Sequence, residues 1–481
     1  MTEATAELPN LPGAKRPKLK LAVLGGGGVR MPAFVRAVLS SGANIFDEIS
    51  LFEPDPVRRQ TTGRLAVELA GHLGYPGMVR ITADAEEAFT GAAFVFSAIR
   101  VGGDQGRVVD EEVALSRGLV GQETTGPGGA AMALRTIPVV LSYCDVLARV
   151  SPEAVLINFT NPAGIITQAI SLHGRVRAVG VCDTPNGALE RLADFLGADP
   201  ESVAFDYSGL NHLGWISSFR VGGEERIQDL LRRYDDLRHF DHRFGAFDTD
   251  MVRQAGAIPT EYVFYYYDSR RYVEGVAHAG TSRGQDVLRL NEELLGGISR
   301  AFEKGDVEDA WSTYSLLLGV RRDTYMRTDT EGDNHQQQAR SRRTAEGPTP
   351  LDTPEIGGYE GVALKVIAGL SSRKPSKVIV NTRNGSSISF LAPDDVVEVP
   401  AYVHGGGLEP LATGTLPRSA RGLVTQIKEY ERTLVEAAVT GDAGLAEVAL
   451  SLNPLVPGIT AARELLDEYR RRHGAHLSYL K

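Results

Sequence analysis

The sequence predicts an α/β protein: a doubly wound parallel sheet followed by an α+β part. Two observations lead there. Short apolar, β-branched runs alternate with helix-compatible stretches from residue 19 to residue 198, and such alternation makes each helix a crossover between parallel strands. Four consecutive glycines follow the first of these runs and open the first helix, the arrangement of a Rossmann-type dinucleotide-binding unit.

The elements follow in order. Residues 19–24 are an apolar strand, and Gly25, Gly26, Gly27 and Gly28 then lead through Val29 and Arg30 into the helix-like stretch after Met31. Glycines let a backbone approach a pyrophosphate closely, and a helix amino end supplies N–H donors and a positive dipole end. Gly25 and Gly27 fit the first two places of G-x-G-x-x-G, but Arg30 stands in the third, so the helix is expected to sit differently on its strand. The second strand, residues 49–52, ends at Glu53. A carboxylate there accepts from the adenosine ribose hydroxyls and repels a 2′-phosphate, which favours NAD over NADP. The candidate cofactor residues are therefore Gly25, Gly27, Gly28, Val29, Arg30 and Glu53. The alternative is a glycine turn made for geometry beside a solvated acid.

Strands at 79–82, 94–97, 155–158 and 176–181 complete six. The expected division is a polar tail at 1–18, an NAD-binding domain at 19–198, and a substrate, metal and oligomerisation domain at 199–481. Polar stretches at 100–107, 121–129 and 158–164 are expected to leave carboxyl ends of strands, where α/β ligands sit, and so to line a cleft.

The sixth strand ends in Cys182 and Asp183, and His212 follows thirty residues later in GLNHLGW. A thiol and an imidazole suit a first-row divalent ion, and two protein ligands leave coordination positions open. The competing interpretation is a buried cysteine ending a core strand and a hydrogen-bonded histidine.

In the second half, residues 202–221 alternate as two antiparallel strands joined at Asn211 and His212, and polar helices run on to Asp250. The polar, turn-rich segment 324–354 is expected to be a lid or, more simply, disordered. Residues 357–359 open a helix to Leu370; strands follow at 378–380, 388–390 and 396–399, with Asn384 and Gly385 as a hairpin turn. Helices from 420 to 440 and from 443 onward end the chain, and His239 and His242 are assigned to the surface.

A formal charge of −10 argues against broad nucleic-acid binding while leaving room for a local basic pocket. Cys144 and Cys182 sit on different expected elements, so no disulfide framework is expected and a reducing cytoplasm is the simplest compartment. The first residues contain no apolar signal core, and no uninterrupted apolar stretch reaches membrane-spanning length, so no membrane partner is expected.

Seven motifs in order, IRVGG with its following Arg and DEE, GQETTGPGG, NFTNPAG, VGVCDTP, GLNHLGW, PTEYVFYYY and VNTRNGSSISFLAPDDVVEVPAYV, resemble those of glycoside hydrolase family 4. The likeness runs from about residue 19 to the carboxyl terminus. This family stands apart from two-carboxylate glycosidases. The resemblance implies a lactate/malate-dehydrogenase-like architecture, NAD and a divalent metal, most simply Mn, as cofactors, and a homodimer or homotetramer. It implies that Cys182 and His212 bind the metal, that Arg107 and Asn161 contact the sugar, that Arg283 holds the sugar or its phosphate, and that Tyr262 is the catalytic base. Tyr265, Tyr266 and Tyr267 lie close enough for a shifted register, and a tyrosine stripe also suits packing.

The implied chemistry is self-consistent. A sugar's carbon-2 hydrogen is too weak an acid for any side chain until NAD oxidises carbon 3 to a ketone, and the metal then stabilises the enediolate. Elimination of the aglycone, addition of water and re-reduction of carbon 3 by the bound NADH complete hydrolysis. Asp183 matches a proposed leaving-group acid of relatives acting on α-linked 6-phosphosugars, whereas CDTP with GGGGVR and GLNHLGW is more similar to the 6-phospho-β-glucosidase branch. The expected function is thus a 6-phospho-β-glucosidase, with an α-glycosidase of the same family (6-phospho-α-glucosidase or α-galactosidase), or an NAD-dependent dehydrogenase, as alternatives. Asn186 and Arg30 depart from the commoner pattern and leave the phosphate requirement open.

Overall fold

Six parallel strands, β1 (Lys20–Leu24), β2 (Glu48–Phe52), β3 (Met78–Thr82), β4 (Phe94–Ser97), β5 (Val155–Asn158) and β6 (Arg177–Gly180), lie side by side in the order β3-β2-β1-β4-β5-β6. The doubly wound half is therefore as expected. The computed structural model describes residues 19–40, 45–326, 335–350, 358–372, 375–414 and 416–481. The expected tail at 1–18 lies outside them, as do Gly357 and residues 327–334 and 351–354 of the polar segment.

β1 is buried along its whole length because helices cover both faces of a parallel sheet. Among the helices are α1 (Met31–Ser40), α2 (Gly103–Leu115), α3 (Gly126–Val150), α4 (Ala163–His173), α5 (Thr184–Leu196), α6 (Arg283–Glu303), α7 (Val307–Asp323), α8 (Gly358–Ser371), α9 (Arg418–Thr440), α10 (Ala443–Leu452) and α11 (Ile459–His473).

The second half prolongs the same sheet. Strands β7 (Val203–Leu210), β8 (Leu213–Val221), β9 (Glu224–Glu225), β10 (Ile258–Pro259), β11 (Ser376–Arg383), β12 (Val396–His404) and β13 (Gly407–Pro410) extend it past β6 in the order β11-β12-β7-β8-β10, with β13 on β12 and β9 on β8. The seam is the antiparallel pairing of Asn381 on β11 with Gly180 on β6. A Cβ on Gly180 would lie 2.3 Å from Thr167 Oγ1 and 2.8 Å from the Asn381 Cβ, so only glycine lets the two strands and α4 meet here. β7 and β8 form the expected hairpin around His212, which takes the left-handed conformation at φ +62°.

Several expectations are corrected. The stretch 121–129 does not leave a strand: it joins α2 to α3, and its Pro-Gly-Gly is the first turn of α3, where proline's missing N–H costs nothing. Residues 388–390 are not a strand, and Asn384 and Gly385 do not make a two-residue hairpin. The buried Asn384 side chain instead donates to the carbonyls of Ile388, Leu391 and Ala392 and accepts from the Ile388 N–H, organising the whole β11–β12 connection. Within the segment expected to be disordered, residues 335–346 are helical, with Arg343 bonded to both oxygens of Asp323. His242 is half-buried and bonds the Tyr325 carbonyl, while His239 is exposed as expected. α3 is long and apolar enough by composition to cross a membrane, yet most of it packs inside the protein.

Candidate active site

The carboxyl ends of β1, β2, β4, β5 and β6 open into one cleft of about 820 Å³. At its dinucleotide end the turn after β1 needs Gly25: φ is +95°, and a Cβ there would meet the Ala98 carbonyl oxygen at 2.7 Å. Gly25, Gly28, Val29 and Arg30 line the cleft, whereas Gly27 turns its N–H onto Glu53 Oε2 at 3.0 Å. Glu53 also lines the cleft, and its Oε1 takes the Asp55 N–H. Burial pushes this carboxyl up, against the pull of the Asp55 and Gly27 N–H groups and of Arg58.

At the other end Cys182 Sγ and His212 Nε2 stand 3.5 Å apart, both buried. Thr124 hydroxyl fixes the imidazole. It gives its only proton to Gln122 Oε1 at 2.8 Å, so it must accept from His212 Nδ1–H at 3.0 Å, which leaves the Nε2 lone pair facing the sulfur. Burial pushes His212 down to about 4, so the ring is neutral near pH 7. Burial, then Glu398 and Asp183, raise the Cys182 thiol. Metal bonds of about 2.3 Å to sulfur and 2.1 Å to nitrogen span roughly 3.6 Å at a tetrahedral angle, so this pair fits a divalent ion. Among the described residues no third His, Cys, Asp or Glu completes the cluster, so other ligands must fill the remaining positions.

The Tyr262 ring lies flat on the His212 imidazole, with centroids 3.8 Å apart. Of the tyrosine run, Tyr262 is the one stacked there; Tyr265 packs edge-on against Tyr262 and Tyr272, and Tyr267 is 41% exposed. Burial, then Glu123, Cys182 and Glu261, hold the Tyr262 phenol well above its ordinary range despite a hydrogen bond from Tyr325.

Arg107 is buried between two carboxylates, with Nε 2.7 Å from Glu111 and Nη1 3.1 Å from Glu123. Burial opposes its charge, but Glu123 and Glu111 outweigh it. Glu123 is mostly buried, and Arg100 at 2.5 Å with Arg107 keeps it ionised against that burial. Glu111 reaches across to the Gly284 N–H at 2.6 Å and so locks α6, which begins at Arg283, onto α2. Arg283 lines the cleft and donates to Thr324 Oγ1 and the Arg321 carbonyl. Arg321 donates to Asn291 and is crowded by Arg30, Arg283 and Arg100. Burial and that crowding, opposed by Asp104, push its guanidinium down to about 9. Asn161 and Asp183 also line the cleft.

Residues 20–198 match the profile of "Family 4 glycosyl hydrolase" and residues 207–456 that of "Family 4 glycosyl hydrolase C-terminal domain". The chain belongs to glycosyl hydrolase family 4. A "Probable 6-phospho-beta-glucosidase" of Bacillus subtilis is 30% identical over 95% of this chain and 97% of its own. The structure of a 6-phospho-beta glucosidase from Thermotoga maritima with NAD and glucose-6-phosphate superposes with a TM-score of 0.77 at 27% identity, covering 95% of this chain and 98% of that one. A second structure of it, with manganese, NAD+ and glucose-6-phosphate, gives 0.76 at 26%, covering 95% and 98%.

In this family 4 hydrolase the cleft brings together every residue that the sequence singles out except Gly27, which stands behind Glu53. Sequence reading missed Glu111, Glu123 and Thr124, although all three lie in or beside the quoted motifs. It also missed Asn291 and Arg321, whose only signal is a polar residue on the apolar face of a helix.

Proposed function

We propose that this enzyme hydrolyses 6-phospho-β-glucosides, with NAD and a divalent ion, manganese, as cofactors. The observation that carries this is one continuous cleft joining the glycine turn to the Cys182–His212–Tyr262 cluster. The Bacillus and Thermotoga relatives' names, and the latter's ligands, support the substrate and cofactors.

NAD would supply reversible hydride transfer at sugar carbon 3, and the divalent ion the electrophile that makes the carbon-2 hydrogen removable. The chain's own groups have distinct tasks. Cys182 Sγ and His212 Nε2 hold the ion, with Thr124 fixing the histidine tautomer. Tyr262 Oη, from its seat on His212, would take the carbon-2 proton as a phenolate, its ionisation favoured by the positive charge of the bound ion against the burial that otherwise keeps it protonated. Arg107, held rigid by Glu111 and Glu123, and Asn161 orient the sugar. Arg283 and Arg321 receive the 6-phosphate, which would offset the crowding of guanidinium groups around Arg321. Glu53 and the turn at Gly25, Gly28, Val29 and Arg30 hold the dinucleotide, with Gly27 fixing Glu53. Both sides of the expected division at about residue 198 would serve the sugar and the ion: Cys182, Thr124, Arg107 and Asn161 from the first, His212, Tyr262, Arg283 and Arg321 from the second, with the dinucleotide held by the first alone.

A second reading, an α-glycosidase of the same family, is favoured by Asp183, which lines the cleft next to Cys182 and is suited to protonating an α-leaving oxygen. A reducing cytoplasm suits the two free cysteines, and assembly as a homodimer or homotetramer follows the family resemblance.

The test is turnover of matched α- and β-glucosides, with and without a 6-phosphate, in deuterated water with manganese and catalytic NAD. Deuterium at carbon 2 of the β-linked, phosphorylated product, only with NAD present, is the expected result. Preference for the α-linked substrate selects the second reading. Stoichiometric NADH makes the protein a dehydrogenase, and activity without NAD sinks the redox mechanism.

A further inference from the structure

β12 is buried from Val396 to Ala401, and in that apolar run Glu398 is 1% exposed. A carboxylate in the middle of a buried strand is costly unless its environment answers it. Three neutral donors do. Tyr207 Oη reaches Oε2 at 2.5 Å, while Asn211 Nδ2 and Asn381 Nδ2 reach Oε1 at 3.0 and 3.1 Å. No Lys or Arg makes an ion pair with it among the described residues.

Where those donors come from matters. Asn381 is the residue of β11 that pairs with Gly180 of β6, two positions before Cys182. Asn211 immediately precedes His212, whose φ of +62° lies in the left-handed region that few non-glycine residues adopt. Glu398 itself pairs with Gly209 on β7, so it sits opposite both the strand leading to His212 and the strand touching the one that leads to Cys182. One carboxylate oxygen thus fixes both routes to the sulfur–nitrogen pair.

We propose that Glu398 is the positioning residue of the metal-donor pair: through Asn381 and Asn211 it sets the separation and orientation of Cys182 and His212. Groups that orient metal ligands in this way commonly govern affinity by about 10- to 100-fold. The inference rests on the metal reading of Cys182 and His212 above.

The experiment titrates Co²⁺ alone into the full-length protein and follows the sulfur-to-cobalt charge-transfer band and the visible ligand-field bands, with Mn²⁺ affinity by competition. Glu398→Gln keeps the shape but turns an N–H₂ toward donors. The expected result is a Co²⁺ and Mn²⁺ affinity lower by about 10- to 100-fold and displaced ligand-field bands, with NAD affinity unchanged. A folded variant with wild-type affinity and spectrum overturns the proposal, even if its unfolding midpoint has dropped, because that is the mark of a merely structural role. If Glu398→Gln does not fold, Asn211→Ala and Asn381→Ala cut the two arms singly; wild-type spectra in both overturn it equally. A wild-type protein whose cobalt spectrum lacks a charge-transfer band lost in Cys182→Ala defeats the metal reading itself, and the inference with it.

Discussion

The planes of Tyr262 and His212 are within 7° of parallel, and the rings are 3.8 Å apart. Stacking of this kind sets the height of the phenol oxygen relative to whatever Nε2 binds, and it depends on the ring alone. Tyr262→Phe should therefore retain the stack, the fold and metal affinity while lowering kcat by about 10²–10⁴-fold, the usual contribution of a positioned general base. Steady-state kinetics beside a cobalt titration check this, and a kcat near wild type would move the base to another residue.

Thr124 makes a different kind of contribution, since its hydroxyl decides which imidazole nitrogen carries the proton. Thr124→Val removes the acceptor and frees the ring to adopt the other tautomer. Manganese affinity should fall by about 10- to 100-fold with little change in thermal stability. Calorimetric titration of manganese measures it.

Arg321 should govern the response to phosphate. Losing one charge-assisted hydrogen bond costs about 1.5–3 kcal/mol, so Arg321→Met should raise KM for a 6-phosphorylated glucoside roughly 10- to 150-fold. KM for the unphosphorylated glucoside should change little.

Stability depends on a buried ion pair behind the cleft wall. Arg135 forks onto Asp110 at 2.5 and 2.8 Å with both side chains wholly buried, and His473 Nε2 of α11 lies 2.8 Å from the same carboxylate. Arg135→Met strands a buried negative charge and should cost about 3–5 kcal/mol in urea unfolding. Adding Asp110→Asn should recover part of that loss.

What the sequence discloses of this fold is what local pattern can carry. The alternation of β-branched runs marks all six parallel strands, the glycines mark the turn after β1, and Cys182 and His212 announce themselves because each closely follows a strand-forming run. Three kinds of feature were out of reach. The Pro-Gly-Gly at 127–129 has loop composition yet begins a helix. Asn384 uses one side chain to organise a long connection, which no short-range turn rule anticipates. Glu123, Arg321 and Glu398 look like residues of solvated faces until tertiary pairing brings their partners from distant elements: Arg100, Asn291 and Asn381.

The seam between β6 and β11 has a mechanical consequence. Two lobes joined by a flexible linker can close on a ligand by swinging, but here the lobes belong to one continuous sheet, joined where Asn381 pairs with Gly180, so a swing would break that pairing. Entry of the sugar and departure of the products must instead be timed by the side walls, where Tyr314 of α7 and Glu360 of α8 face the cleft beside the glycine turn. The floor that carries the metal donors would stay still through the whole cycle, as a site that must perform an oxidation and its reversal on the same sugar requires.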